Sequence, residues 1–166
     1  MSQALSCVQF QSLHQRKPFG YKRWAQPGRT ARQNMAERPD MKKIAFIGFG
    51  EAATAFVSGW PVRDAGIAAY DIKTEEAATR DAMRARYDAH GVEGADDRGR
   101  ALAGATVVFS TVTADQALVA AERAAPHLVP GGLWLDCNSC APQTKARAAD
   151  VIEQAGGRYV DVAVMA

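Results

Sequence analysis

The chain is poor in cysteine, with only Cys7, Cys137 and Cys140 among its 166 residues. Three thiols in a chain of this length make no disulfide framework and suit a reducing compartment. Long hydrophobic runs are missing too: nothing approaches the ~18 consecutive apolar residues of a membrane span, and the start lacks the apolar core of a secretory signal. Both absences argue against a membrane or secreted protein and for a cytoplasmic one. The three histidines, His14, His90 and His127, show no metal-ligand spacing, and one cysteine pair cannot complete a four-ligand zinc site, so no metal is expected. Acidic residues are scarce at one end only. Residues 1–40 hold seven Lys/Arg against two Asp/Glu, whereas residues 41–166 hold 13 against 16. The basic part and the rest are different objects.

What is present fits one globular domain: 48% hydrophobic residues, 23% charged, and a mean hydropathy of −0.22. Residues 1–40 carry scattered Gln, Arg, Ser, Gly and Pro with no apolar repeat, too little to offset the entropy of ordering. The expectation is a disordered basic leader. Its arginines fit a transit peptide or a nucleic-acid-binding arm weakly, and Met35 and Met41 allow the plainer reading of an over-extended start. Further on, the arginines Arg80, Arg84 and Arg86 alternate with Glu75, Glu76, Asp81 and Asp88. That pattern is a solvated helix face, so no nucleic-acid partner is expected.

From residue 41 to 166 the punctuation becomes regular. Residues 43–47 (KIAFI) read as a buried strand and 51–59 as a short helix stopped before Pro61. A second strand over 66–72 follows, then Thr74 as the N-cap of a helix running from Glu75 to about His90, with Gly91 after its end. A short helix over 100–103, a β-branched strand over 106–111 and an Ala-rich helix over 114–125 come next. A strand over 133–136, a helix over about 139–154 and a strand over 158–164 complete the pattern. Near-continuous apolar strands alternating with helices predict an α/β fold: a Rossmann-type, doubly wound parallel sheet covered on both faces. Ligands of such sheets bind at the carboxyl ends of the strands.

The first strand ends in Gly48-Phe49-Gly50-Glu51-Ala52-Ala53, a G-x-G-x-x-A pattern that opens a helix. Gly48 permits a tight turn, Gly50 lets backbone approach a pyrophosphate, and Ala53 is small enough for the helix to pack on the sheet. The phosphates then meet amide groups at the helix N-terminus. Asp71, 21 residues beyond Gly50, ends the second strand, where a carboxylate accepts hydrogen bonds from the adenosine ribose and repels a 2′-phosphate. Lys73 next to it leaves NAD and NADP both open as the cofactor. Glu51 must turn to solvent if a pyrophosphate is to bind.

Four segments in this order, GFGEAA at 48–53, Ser110-Thr111-Val112-Thr113, Asp136-Cys137-Asn138-Ser139-Cys140-Ala141-Pro142 and Tyr159-Val160-Asp161-Val162-Ala163-Val164, resemble the β-hydroxyacid dehydrogenases. That family includes 3-hydroxyisobutyrate, tartronate semialdehyde and 6-phosphogluconate dehydrogenases, and the resemblance covers residues 42–166. It implies an oxidoreductase that passes hydride between NAD or NADP and a small 2- or 3-hydroxy acid. It also implies that Val112 and Thr113 lie beside the nicotinamide-side ribose, and that Asn138 and Ser139 belong to the substrate-binding segment. Ser139 is well placed to cap the helix that Pro142 enters, leaving amide groups and the Asn138 side chain for a substrate carboxylate.

The family's pattern continues into a helical second domain that supplies a catalytic lysine, and the sequence stops at Ala166 where that domain begins. No catalytic residue is therefore assigned, Lys145 is expected to face solvent, and a truncated, non-catalytic dinucleotide-binding module is the alternative. Ala163 stands where relatives often carry proline. Cys137 and Cys140 form a C-x-x-C pair at a strand-to-helix junction, where a lowered thiol pKa would permit dithiol redox chemistry; two inert reduced cysteines are the default.

Overall fold

The structure, a computed structural model, describes residues 43–60 and 65–164. The expected leader over residues 1–40 and the candidate starts at Met35 and Met41 lie outside the described residues. In chain order the elements are β1 (Lys43–Ile47), α1 (Glu51–Gly59), β2 (Ile67–Tyr70), α2 (Ala77–Ala89), β3 (Glu93–Gly94) and α3 (Arg98–Leu102), followed by β4 (Ala105–Ser110), α4 (Ala117–Ala124), β5 (Leu133–Asp136), α5 (Pro142–Gln154) and β6 (Arg158–Asp161). The strands form one sheet in the order β3-β2-β1-β4-β5-β6. Every neighbouring pair is parallel, which is the doubly wound Rossmann-type arrangement.

Side chains alternate across a strand, so β1 feeds two cores. Ala45 and Ile47 join Leu102 of α3, Ala121 and Ala124 of α4 and Ile152 of α5 around Trp134. Phe46 points the other way, to Ala53 and Val57 of α1 and Met83 and Tyr87 of α2. Burial of each such large apolar side chain contributes about 1.5–3 kcal/mol, so both layers of helices are held by the same short strands. The small residues Ala117, Ala121 and Ala124 recur on one face of α4 and are all buried, which brings that helix close to the sheet.

Several boundaries move, each for a local reason. The second strand stops at Tyr70 because the Asp71 carboxylate accepts the Lys73 amide at 3.0 Å and curls Ile72–Thr74 into a 3-10 turn. Thr74 is buried within that turn and donates its hydroxyl to the Asp71 carbonyl at 2.7 Å, so it does not cap the next helix, which starts at Ala77 after Glu76. Strand β3, absent from the sequence reading, is two residues long and carries no periodicity to detect. It is held by contact: a Cβ on Gly94 would sit 2.2 Å from the Tyr87 ring. The last strand ends at Asp161, three residues earlier than expected, and the last helix begins at Pro142, three residues later.

Candidate cofactor and substrate site

Strands β1 and β4 are neighbours at the centre of the sheet, and the chain winds away from them in opposite directions. Their carboxyl ends therefore open a crevice at the switch point. Two bonds close its floor: the Thr111 amide donates to Ile47 at 2.9 Å, and the Thr111 hydroxyl donates to the Gly48 carbonyl at 2.7 Å. Gly48 adopts φ +85°, a left-handed conformation, and a Cβ there would lie 2.6 Å from the Thr111 carbonyl oxygen. This glycine is required by the fold itself. Gly50 differs, because nothing lies within 4 Å of where its Cβ would be. A requirement for glycine at position 50 would thus come from outside the described chain, as it would from a pyrophosphate.

The other fingerprint residues divide by burial. Phe49 is fully buried and packs edge-on against Phe46 with centroids 5.9 Å apart, so its side chain is core and only its backbone faces the turn. Ala53 is fully buried on the inner face of α1, as its smallness predicts. Glu51 and Ala52 are exposed. Gly50 is the N-cap of α1 and makes no side-chain cap bond, so the amides of the first turn keep their outward direction.

Asp71 reaches across from the end of β2. One carboxylate oxygen accepts the Phe49 amide at 2.8 Å and the other accepts the Lys73 amide at 3.0 Å. The carboxylate therefore clamps the glycine turn to the second strand, a role that spacing alone did not disclose. Lys73 is exposed beside it, and Ile72 is half exposed on the same rim. Across the crevice, Val112 is half-buried against the core and Thr113 is exposed at the start of a 3-10 turn over Ala114–Gln116.

The segment after β5 departs from expectation. Asn138 is buried, 5% exposed, and its donors are all engaged: the backbone amide on Asp136 at 2.9 Å, and the side-chain NH2 on Asp136 at 2.8 Å and on the Ser110 hydroxyl at 3.0 Å. Its side-chain NH2 is not presented to a substrate carboxylate. Ser139 is exposed, and Ala141 rather than Ser139 is the N-cap, with no side-chain cap bond. Pro142 explains the start, since it supplies the first helical φ and its ring keeps Ala141 before it extended.

Lys145 does not face solvent. From α5 its ammonium reaches the ends of β5 and β6, donating to the Asp136 carbonyl at 3.2 Å and to the Asp161 carboxylate, with its side chain only 13% exposed. Burial works against its charge, but the Asp161 hydrogen bond and the Asp136 and Asp161 charges outweigh that and hold its pKa above the ordinary value. Tyr159 on β6 donates to the second oxygen of Asp136 at 2.7 Å, and its pKa is driven up by burial and by that bond. Ser110, Asp136 and Tyr159 open segments that carry the family resemblance, but the sequence did not show that they meet, and Lys145 stands outside those segments.

Both thiols of the C-x-x-C pair are free. Burial and the neighbouring Asp136 charge push the Cys137 thiol up to about 11, and the same causes raise Cys140. The lowered pKa that dithiol catalysis needs is therefore absent, and Cys137 should resist alkylation. At pH 8 a thiol of pKa about 11 is thiolate in roughly one molecule in a thousand, against about a quarter for an ordinary cysteine. Peptide mass analysis after timed iodoacetamide treatment measures this; a Cys137 rate equal to that of an unfolded control peptide would reject the assignment. Among the described residues no His, Cys, Asp and Glu cluster could hold a metal ion, and no helix is long and apolar enough to cross a membrane.

A doubly wound sheet with a glycine turn, an open helix N-terminus and an acidic residue ending β2 defines a dinucleotide-binding Rossmann domain. The model for the NAD binding domain of 6-phosphogluconate dehydrogenase matches residues 43–165, and the chain belongs to that family. Its cofactor is accordingly NAD or NADP. A conserved hypothetical protein of Sinorhizobium meliloti 1021 is 44% identical with a TM-score of 0.71, over 76% of this chain and 42% of that one. A second solved structure is a protein of unknown function described as similar to 3-hydroxyacid dehydrogenases; it is 31% identical with a TM-score of 0.58, over 75% and 44% of the two chains. The 3-hydroxyisobutyrate dehydrogenase of Mycobacterium tuberculosis, solved with L-serine, shares the fold at 22% identity and a TM-score of 0.63, over 76% and 41%. The chain thus spans less than half the length of these relatives. No curated protein matches it.

Proposed function

We propose that residues 41–166 are the cofactor-binding domain of a cytoplasmic oxidoreductase that transfers hydride between a nicotinamide and a small 2- or 3-hydroxy acid, with residues 1–40 preceding it as a leader. The observation that carries the cofactor's placement is the contrast at the glycine turn. Gly48 is filled by its own fold, while Gly50 faces open space at a helix N-terminus. In this reading the amides opening α1 receive the pyrophosphate, Asp71 receives the adenosine ribose hydroxyls, and Val112 and Thr113 flank the second ribose. When bound, the nicotinamide supplies the hydride-accepting carbon.

The chain's own residues bind and orient. Ser139 and the amides at the start of α5 face the carboxylate of the hydroxy acid, and Asn138 holds that segment in place from beneath. Proton handling falls to a lysine of the helical domain that the family resemblance implies. A dinucleotide-binding module that does not turn over substrate is the second reading.

NAD is the preferred cofactor in this reading, because a 2′-phosphate would meet the Asp71 carboxylate. Calorimetric titration with NADH and NADPH should give tighter binding for NADH, and Asp71→Ala should narrow the gap while weakening both, since the Phe49 clamp is lost as well. A preference for NADPH that survives in Asp71→Ala would reject this placement of the ribose.

A further inference from the structure

The adenosine half of a dinucleotide lies over β1 and β2 if Asp71 takes its ribose. The nicotinamide half must then cross the switch point to the ends of β4 and β5. There the chain has built a buried polar assembly. Asp136, 1% exposed, ends β5 and serves four groups. One oxygen takes the Asn138 amide and side-chain NH2 and has the Lys145 ammonium of α5 at 3.7 Å, and the other takes the Tyr159 hydroxyl from β6. The Lys145 ammonium is shared with Asp161 of β6, and the Ser110 hydroxyl of β4 closes the assembly on Asn138.

The orientation of Asn138 is forced by this arrangement. Turning its amide over would bring its oxygen against the Asp136 carboxylate, acceptor on acceptor. The buried side-chain oxygen of Asn138 is left with no partner, a cost the segment bears in order to keep the NH2 on Asp136 and Ser110. β6 and α5 thus each send a side chain to the one carboxylate that ends β5, and Asn138, bonded to it by backbone and side chain, ties it to Ser110 of β4. A buried charge is expensive unless paired, and Lys145 is the cation that makes it tolerable.

We propose that Asp136, Lys145 and Tyr159 are positioning residues that set residues 137–141 against the nicotinamide half of the cofactor. The inference rests on the cofactor placement given above. Asn138 transmits the constraint: fixed at both backbone and side chain, it determines where Ser139 and the amides opening α5 stand.

The test compares two ligands on the full chain. ADP-ribose reaches only the glycine turn and the Asp71 side of the crevice, whereas NADH also reaches the ends of β4 and β5. Tyr159→Phe and Lys145→Met should lower NADH affinity roughly tenfold, about 1.4 kcal/mol, with ADP-ribose affinity unchanged within about twofold. The rise in nicotinamide fluorescence on binding should shrink in both variants, and Lys145→Arg should restore it. An equal loss for both ligands, or no loss for either, overturns the proposal. If Lys145→Met does not fold, Tyr159→Phe decides alone, since it removes one hydroxyl and leaves the ion pair intact. Failure of the unaltered chain to bind ADP-ribose would instead overturn the cofactor placement, so the two failures are told apart.

Discussion

Gly50→Val should abolish cofactor binding in a chain that still folds, whereas Gly48→Val should unfold it. The two glycines stand two residues apart in one turn, and the difference lies in what surrounds them. At Gly48, φ is +85° and an added Cβ would sit 2.6 Å from the Thr111 carbonyl oxygen and 2.9 Å from the carbonyl carbon. A β-branched residue there combines left-handed strain with a clash against backbone, and neither neighbour can yield because Thr111 is itself tied to Gly48 and Ile47. Strain and overpacking contribute about 1–3 kcal/mol each, a large part of a typical domain's 5–15 kcal/mol. At Gly50, φ is −85° and the space is empty, so valine costs only the weaker N-cap preference, on the order of 0.5–1 kcal/mol. Its branched side chain occupies the approach of the pyrophosphate, and affinity for NADH should fall by on the order of 100-fold or more. Thermal unfolding and calorimetry on both variants check the pair. Unchanged NADH affinity in Gly50→Val would remove the cofactor from this turn.

The elements legible in the sequence were those whose cause is local. The apolar run of β1, the glycine turn after it and the smallness of Ala53 all follow from neighbours within a few residues, and the structure places them as the pattern implies. Asp71 follows β2 as its spacing implied, yet its clamp on the glycine turn was hidden: the bond to the Phe49 amide spans 22 residues and needs the parallel pairing of β1 with β2 to exist. Lys145 shows the limit more sharply. A lone lysine in a helix that also carries Arg147 and Asp150 reads as solvated, and only the packing of α5 over β5 and β6 reveals two carboxylates within its reach. Ser139 misled for the opposite reason. Its residue type suits a cap, but Pro142 had already determined where the helix begins.

Asp136→Ala should be among the most destabilising single changes in the domain, although it deletes only a few atoms. Replacing a buried apolar side chain removes contacts; removing Asp136 also strands the groups that depended on it. The Asn138 amide and NH2 lose bonds of 2.9 and 2.8 Å, the Tyr159 hydroxyl loses one of 2.7 Å, and the Lys145 ammonium keeps only Asp161 and a carbonyl to offset its burial. Orphaning a buried charge partner costs about 3–5 kcal/mol. Asp136→Asn should cost less, because an amide oxygen can still accept from Asn138 and its NH2 can donate to the Tyr159 hydroxyl oxygen; what it loses is the charge opposite Lys145. The order of stability should therefore be unaltered chain, then Asp136→Asn, then Asp136→Ala. Urea unfolding with a common slope gives the three free energies. A loss under about 1 kcal/mol for Asp136→Ala would mean that water replaces the carboxylate, and the ends of β4, β5 and β6 would then be held together by their backbone pairing alone.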